Sequence, residues 1–238
     1  MKKQMPAADS ISAVVVLSGG QDSATCLALA CRKYGADHVA GLTFTYGQRH
    51  AIEVRSARRL ATEIFKIAVW KTISLDFYST ITDNALMTPN VAFAKDKQAK
   101  CPNTVVEGRN AIFLQIAAVW AKHLGAAVVY TGVSEADYSG YPDCREAFIK
   151  AQQKSIRLAL DCPIRIVTPF MHMSKADEWA LADELGILDV IKNETVTCYN
   201  GVPGAGCGEC PSCRLRNRGL RAFEKMKKTQ AKQARKTR

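Results

Sequence analysis

The segment Ser18-Gly19-Gly20-Gln21-Asp22-Ser23 follows directly on the apolar run Ala13-Val14-Val15-Val16-Leu17, and this junction constrains the fold more than any other part of the chain. Five apolar residues, three of them Val, predict a short parallel strand buried on both faces. Gly19 and Gly20 allow a tight turn and a close approach of backbone to a ligand. Asp22 and Ser23 then open a helix through Ala24-Thr25-Cys26-Leu27-Ala28-Leu29-Ala30. Strand, small-residue loop and helix N-terminus together predict an anion site, where unpaired N–H groups converge on one point. A nucleotide phosphate is the expected anion. The lysine of G-x-x-x-x-G-K-[ST] is missing, so the loop is no Walker A motif, and it does not fit the dinucleotide pattern G-x-G-x-x-G.

Strand and helix patterns alternate along the rest of the chain. Strands are predicted at 13–17, 39–44, 68–73, 126–132 and 164–167. Helices are predicted from the glycine loop onward, at about 51–65, 109–124 and 145–160, and from a Ser174 cap to Gly186. Residues 76–104 show no clear period and are expected to be an insertion or lid. Such alternation implies an α/β fold, a Rossmann-like parallel sheet with helices on both faces. Ligands in these sheets sit beyond the carboxyl ends of the strands, so the glycine loop, Thr45-Tyr46-Gly47 and Gly132-Val133-Ser134-Glu135 should meet at one crevice. The expected organisation is an α/β nucleotide domain over 10–190, a cysteine-rich region over 191–224 and a basic flexible tail over 225–238.

Nine cysteines in 238 residues are unevenly placed. Four of them, Cys198-x8-Cys207-x2-Cys210-x2-Cys213, share one short segment interspersed with glycines. That spacing predicts a metal centre rather than a disulfide framework. Four thiolates can close a tetrahedral zinc site without an open position, a structural rather than a catalytic arrangement. An iron–sulfur cluster fits the same spacing.

The chain carries a net charge of +11. Seven of its basic residues lie between Lys225 and Arg238, with no acidic residue among them. They are expected to form a solvated terminus, and nucleic-acid binding is not required by the reading. No apolar run reaches the ~20 residues needed to span a bilayer, and no apolar leader precedes the first strand. A cytoplasmic protein is expected.

S-G-G-x-D-S resembles the pyrophosphate loop of the ATP pyrophosphatases (PP-loop superfamily), which split ATP into AMP and pyrophosphate. Further phrases are Thr43-Phe44-Thr45-Tyr46-Gly47-Gln48-Arg49-His50, Glu107-Gly108-Arg109-Asn110, Thr131-Gly132-Val133, Asp137-Tyr138-Ser139-Gly140-Tyr141-Pro142-Asp143-Cys144-Arg145, Ser174-Lys175-Ala176-Asp177 and Asn193-Glu194-Thr195-Val196-Thr197-Cys198-Tyr199-Asn200-Gly201. Together they resemble the 7-cyano-7-deazaguanine synthase (QueC) family over about residues 12–222. The resemblance implies an adenine nucleotide alpha-hydrolase-like fold, with zinc on Cys198, Cys207, Cys210 and Cys213 and usually a homodimer. It implies ATP-dependent conversion of 7-carboxy-7-deazaguanine and ammonia to the nitrile in queuosine biosynthesis. Two departures stand out: Thr45 where the family commonly has Asp, and Glu107 where it often has Pro.

ATP contacts are expected along Leu17-Ser18-Gly19-Gly20-Gln21-Asp22-Ser23-Ala24-Thr25-Cys26-Leu27. Asp22 is expected to hold Mg²⁺ or to cap the helix, and Arg109 and Lys175 to meet phosphate oxygens or to form ion pairs. Tyr46, Gln48, Arg109, Glu135, Asp137, Tyr141, Asp143 and Arg145 are expected to contact the deazaguanine substrate, because Arg forks suit carboxylates and carboxylates suit guanine-type donors. Two other functions fit parts of the sequence. A tRNA thiolase of the same superfamily would use the same loop, and a zinc-ribbon nucleic-acid protein would use the cysteines and the basic tail.

Overall fold

The β-branched run at 13–16 forms β1 (Ala13–Val16), the central strand of a five-stranded sheet in the order β3-β2-β1-β4-β5. The computed structural model describes residues 11–49, 51–82, 84–88, 91–93, 101–135 and 140–236. Helix α1 (Gln21–Tyr34) leads to β2 (Val39–Thr45), and α2 (Ile52–Arg59) leads to β3 (Val69–Ser74). Helices α3 (Tyr78–Ile81) and α4 (Arg109–His123) precede β4 (Val128–Tyr130), and α5 (Glu146–Leu160) precedes β5 (Arg165–Val167). Helices α6 (Lys175–Glu184), α7 (Leu188–Glu194) and α8 (Pro211–Lys236) follow. Every strand pair is parallel. The chain builds outward from β1 to β3, then returns to place β4 on the other side of β1. The loops after β1 and β4 therefore diverge and open a crevice between them.

Alternate side chains of the strands feed two cores. Val14, Phe44 and Val129 pack with Phe113, Leu114 and Ile156 beneath α4 and α5. Ala13, Val15, Leu17 and Val128 face the other way, toward Leu27, Leu60, Trp179, Ile191 and Phe223. Val14, Val15 and Leu17 are fully buried, and each such side chain contributes about 1.5–3 kcal/mol of apolar burial. Burial on both faces explains why these strands read as continuous apolar runs rather than as alternating ones.

The expected helices differ from those observed in several places, among them α3 and the start of α8, neither of which was expected. The helix at 51–65 is α-helical only over Ile52–Arg59, and Leu60–Ile64 forms a wider π-helical turn. Residues 188–194 form α7, a helix not anticipated from the sequence. Residues 225–236 continue α8 as helix instead of leaving the fold as a frayed strand of chain. Ser174 caps α6 as expected: its hydroxyl accepts from the Asp177 amide at 3.3 Å, and the Asp177 carboxylate accepts from the Ser174 amide at 3.1 Å. No helix among the described residues is long and apolar enough to cross a membrane.

The inner half of α8 packs on α6, where Lys227 pairs with Asp183 at 2.6 Å and lies over the Phe223 ring. Side chains from Lys228 to Gln233 are exposed. Deleting residues 228–238 is therefore expected to leave metal content and turnover unchanged within about twofold. It should also weaken salt-sensitive adsorption to nucleic acid, read as earlier elution from heparin. Loss of most turnover would show that the exposed turns belong to the site.

Candidate active site

The loop after β1 is held from several sides. Gly19 has φ +90°, a left-handed conformation that favours glycine, and a Cβ there would collide with the Glu53 carbonyl oxygen. The Gly19 carbonyl accepts from the Ser56 hydroxyl at 3.0 Å and from the Val196 amide at 2.9 Å. Within the loop, the Ser18 and Ser23 hydroxyls lie 3.1 Å apart, and Ser23 also donates to the Gly20 carbonyl at 3.0 Å. The Gln21 amide donates to the Thr197 hydroxyl at 3.2 Å. The Gln21 side chain is 1% exposed, and both of its polar atoms lack a partner.

This loop forms one wall of a cavity of about 530 Å³, lined also by Phe44, Tyr46, Arg109, Gly132 and Lys175. A larger cavity, about 720 Å³, lies beside the 84–108 segment and is lined by Cys101, Glu107 and Asp143. It lacks the glycine loop, so the smaller cavity is the candidate active site.

Asp22 makes no cap hydrogen bond to α1. Its carboxylate instead accepts from Lys175 Nζ at 2.9 Å, and the same ammonium donates to both Glu178 oxygens at 2.9 Å. Lys175 and Glu178 are buried, whereas the Asp22 side chain is 35% exposed toward the cavity. Burial, together with the Asp22 charge, pushes the Glu178 carboxyl up, and Lys175 opposes this. The Lys175 stem lies against Gly219 of α8, where a Cβ would come within 2.8 Å of it. Sequence reasoning missed Glu178; its i,i+3 spacing from Lys175 in α6 was the available signal.

Arg109 opens α4 on the opposite wall. It donates to the Tyr46 hydroxyl at 3.0 Å, lies over the Tyr46 and Phe113 rings, and keeps its buried Nε without a partner. Phe44 and Phe113 stack at 4.2 Å in the same wall. The Tyr141 hydroxyl lies 2.6 Å from the Thr104 hydroxyl and 3.3 Å from that of Tyr199. Gln48 lines the cavity, but its amide braces its own loop, accepting from the Tyr46 amide at 2.7 Å and donating to the Phe44 carbonyl.

The other expected substrate residues lie elsewhere. Glu135 is exposed and accepts from the Glu146 amide at the start of α5, and Arg145 is exposed at the same helix end. Asp143 is buried, accepts from the Asn110 amide at 2.9 Å, and leaves Oδ1 unpartnered. Asp137 lies outside the described residues. Of the two departures from the family pattern, Thr45 donates to the Ser74 hydroxyl and Glu107 accepts from Thr82. Cys26 is buried in the core and burial raises its thiol well above the ordinary value. Cys26 and Leu27 are fully buried behind the loop and do not line the cavity.

The four clustered sulfurs lie within 4.8 Å of one another, with Cys207 and Cys213 4.0 Å apart. A tetrahedral ion with metal–sulfur bonds of about 2.3 Å requires sulfur edges of about 3.8 Å, so the donor set fits a single metal ion such as zinc. Backbone amides of Asn200, Cys210 and Cys213 donate to the sulfurs of Cys198, Cys207 and Cys210. These bonds stabilise thiolate charge. The adjoining Thr197, Tyr199 and Ser212 line the active-site cavity, so the metal region forms part of its wall.

Two outcomes follow from this geometry. Glu178→Ala leaves a buried ammonium short of charge and is expected to cost about 3–5 kcal/mol of stability, read by denaturant unfolding; a cost near zero would mean that the triad is not a coupled unit. Cys210→Ser is expected to lose stoichiometric metal by elemental analysis and to melt at lower temperature, because binding free energy is folding free energy here.

Comparison with known proteins places these features in context. Among solved structures, an NMN synthetase from Francisella tularensis is 18% identical with a TM-score of 0.46, the match covering 76% of this chain and 64% of that one. An NH3-dependent NAD synthetase from Campylobacter jejuni subsp. jejuni NCTC 11168, in complex with the nitrate ion, is 17% identical with a TM-score of 0.46, covering 75% and 67%. A 4-thiouridine synthetase in an RNA complex with bound ATP is 18% identical with a TM-score of 0.49, covering 90% and 50%. This chain thus spans under two thirds of the first structure and half of the third. Residues 12–224 match the family described as "Queuosine biosynthesis protein QueC". A match over nearly the whole chain, carrying the glycine loop, Arg109, Lys175 and the four cysteines, makes this protein a member of the QueC family.

Proposed function

We propose that this protein converts 7-carboxy-7-deazaguanine and ammonia to 7-cyano-7-deazaguanine, with ATP split to AMP and pyrophosphate. The observation that carries the reading is the pairing of a pyrophosphate-type loop with Arg109 across one cavity lined by Phe44, Tyr46 and Phe113. The aromatic wall suits a flat heterocycle. The loop amides and the Ser18 and Ser23 hydroxyls suit the departing pyrophosphate.

A carboxylate is a poor electrophile, and adenylation supplies it with a leaving group. A substrate carboxylate oxygen attacks the α-phosphorus, and the bond to pyrophosphate breaks. Ammonia then attacks the acyl carbon, AMP leaves, and the amide forms. A second adenylation, on the amide oxygen, followed by loss of AMP and a proton, gives the nitrile. Arg109 supplies a fixed positive charge where negative charge develops at the α-phosphorus, and the aromatic wall of Phe44 and Phe113 shields one side of the mixed anhydride from water. Asp22, the carboxylate of the loop itself, is the residue that would hold the magnesium ion of MgATP. The four-cysteine metal is read as structural zinc: the close sulfurs favour one ion over a cluster, which spreads its thiolates over several irons. The small molecules are the expected partners, with a homodimer and a cytoplasmic location as further parts of this reading.

With 7-carboxy-7-deazaguanine and ammonium, the expected products are AMP and pyrophosphate, scored by chromatography; ADP and phosphate would overturn the mechanism. Ammonium should support turnover and glutamine alone should not. Arg109→Ala is expected to lower kcat by roughly 10²–10³-fold with the fold intact.

A further inference from the structure

One carboxylate in the cavity has no task in the mechanism above. Glu53 sits in the first turn of α2 and lines the cavity with Asp22, Arg109 and Lys175. Its helix is tied to the glycine loop by the bond from Ser56 to the Gly19 carbonyl and by the contact of its own carbonyl oxygen with Gly19. The loop that receives phosphate therefore also positions Glu53. Among the described residues, its carboxylate makes no hydrogen bond or ion pair. The neighbouring carboxylates have other roles: Asp22 pairs with Lys175 through one oxygen and is the residue read above as the magnesium ligand, Glu178 pairs with Lys175, Asp143 accepts from Asn110 and Glu135 accepts from Glu146.

The groups that face Glu53 are few. Arg109 from α4 and Tyr46 from the loop after β2 act on it directly, and Arg49 and Asp22 share the cavity. Glu194, where the 194–197 segment meets α2, is paired with Arg59 at 3.1 Å. Burial pushes the Glu53 carboxyl up to about 7, with Arg109 opposing.

We propose that Glu53 is the proton acceptor in the ammonia step, taking a proton from the nitrogen as it attacks the adenylated carboxylate. This rests on the nitrile-synthase reading. The nitrogen lone pair forms the C–N bond. The bond from the acyl carbon to the AMP oxygen breaks, and its electron pair leaves with AMP. The nitrogen's surplus proton passes to a Glu53 oxygen and from there to water. A base that titrates near neutral pH is matched to this task, since it is ionised at working pH and still basic enough to hold the proton.

The test separates two half-reactions on the full-length, metal-loaded protein. Exchange of labelled pyrophosphate into ATP, with 7-carboxy-7-deazaguanine and no ammonium, reports adenylation. Amide formation after adding ammonium reports the nitrogen step. Glu53→Gln is expected to keep exchange within about threefold while amide formation falls by about 10²–10³-fold. Glu53→Asp should restore part of the rate. In the unaltered protein, amide formation at a fixed concentration of free ammonia should fall as pH drops below about 7, and the Gln variant should lack that dependence. Loss of exchange together with amide formation would assign Glu53 to adenylation and overturn the proposal, as would full amide formation by the Gln variant. If the Gln variant does not fold, the unaltered protein decides, since a flat profile at fixed free ammonia overturns the proposal. Exchange absent from the unaltered protein itself would overturn the nitrile-synthase reading and this assignment with it.

Discussion

The Gly19 carbonyl is the point on which the site depends. It accepts hydrogen bonds from Ser56 of α2 and from Val196 of the segment before the cysteines. Three parts of the chain far apart in sequence are thereby locked at the end of β1. A loop that presents amides to an anion must hold its own carbonyls away from that anion, and it must do so before ligand arrives. Here the carbonyl is turned outward and satisfied by neighbours. The left-handed Gly19 makes this possible, since any side chain would meet the Glu53 carbonyl.

A second constraint runs through Lys175. Its ammonium joins the exposed edge of the loop, Asp22, to the fully buried Glu178, and its stem is clamped by Gly219. A buried ion network tolerates little displacement, because removing one partner strands the others in a low-dielectric interior. The packing of α6 on α8 is thus transmitted to the N-terminus of α1 at the glycine loop. Arg216 extends this rigidity: its guanidinium donates to the carbonyls of Gly204, Ile191 and Lys192 and lies over Trp179.

The four-cysteine region is therefore more than an appendage. Thr197 receives the Gln21 amide, Tyr199 closes the wall near Tyr141, and Ser212 lines the cavity. A metal that orders residues 198–213 also orders these contacts. A closed thiolate set can matter to activity without touching substrate, because free energy released on binding metal holds the wall in place.

Much of this was legible in the sequence. The strand run at 13–17, the glycine loop, the Ser174 cap and the cysteine spacing were readable because each is a local demand on backbone geometry or ligand reach. Residue destinations were less so. Within the phrase 141–145, Tyr141 turns to the cavity, while Asp143 braces α4 and Arg145 faces solvent at the start of α5. Glu53 and Glu178 looked like ordinary charges on amphipathic helices, but packing buries Glu178 and half-buries Glu53 against the cavity. Residues 228–236 looked too polar for order, yet they continue α8 as helix. The sequence by itself determined the α/β class, the glycine turn after β1 and a cysteine cluster able to hold a metal ion, since those depend on neighbours a few residues apart. Only the tertiary structure decided that Asp22 and Glu178 share Lys175 while Glu53 turns to the cavity, because that depends on which helices meet at the strand ends.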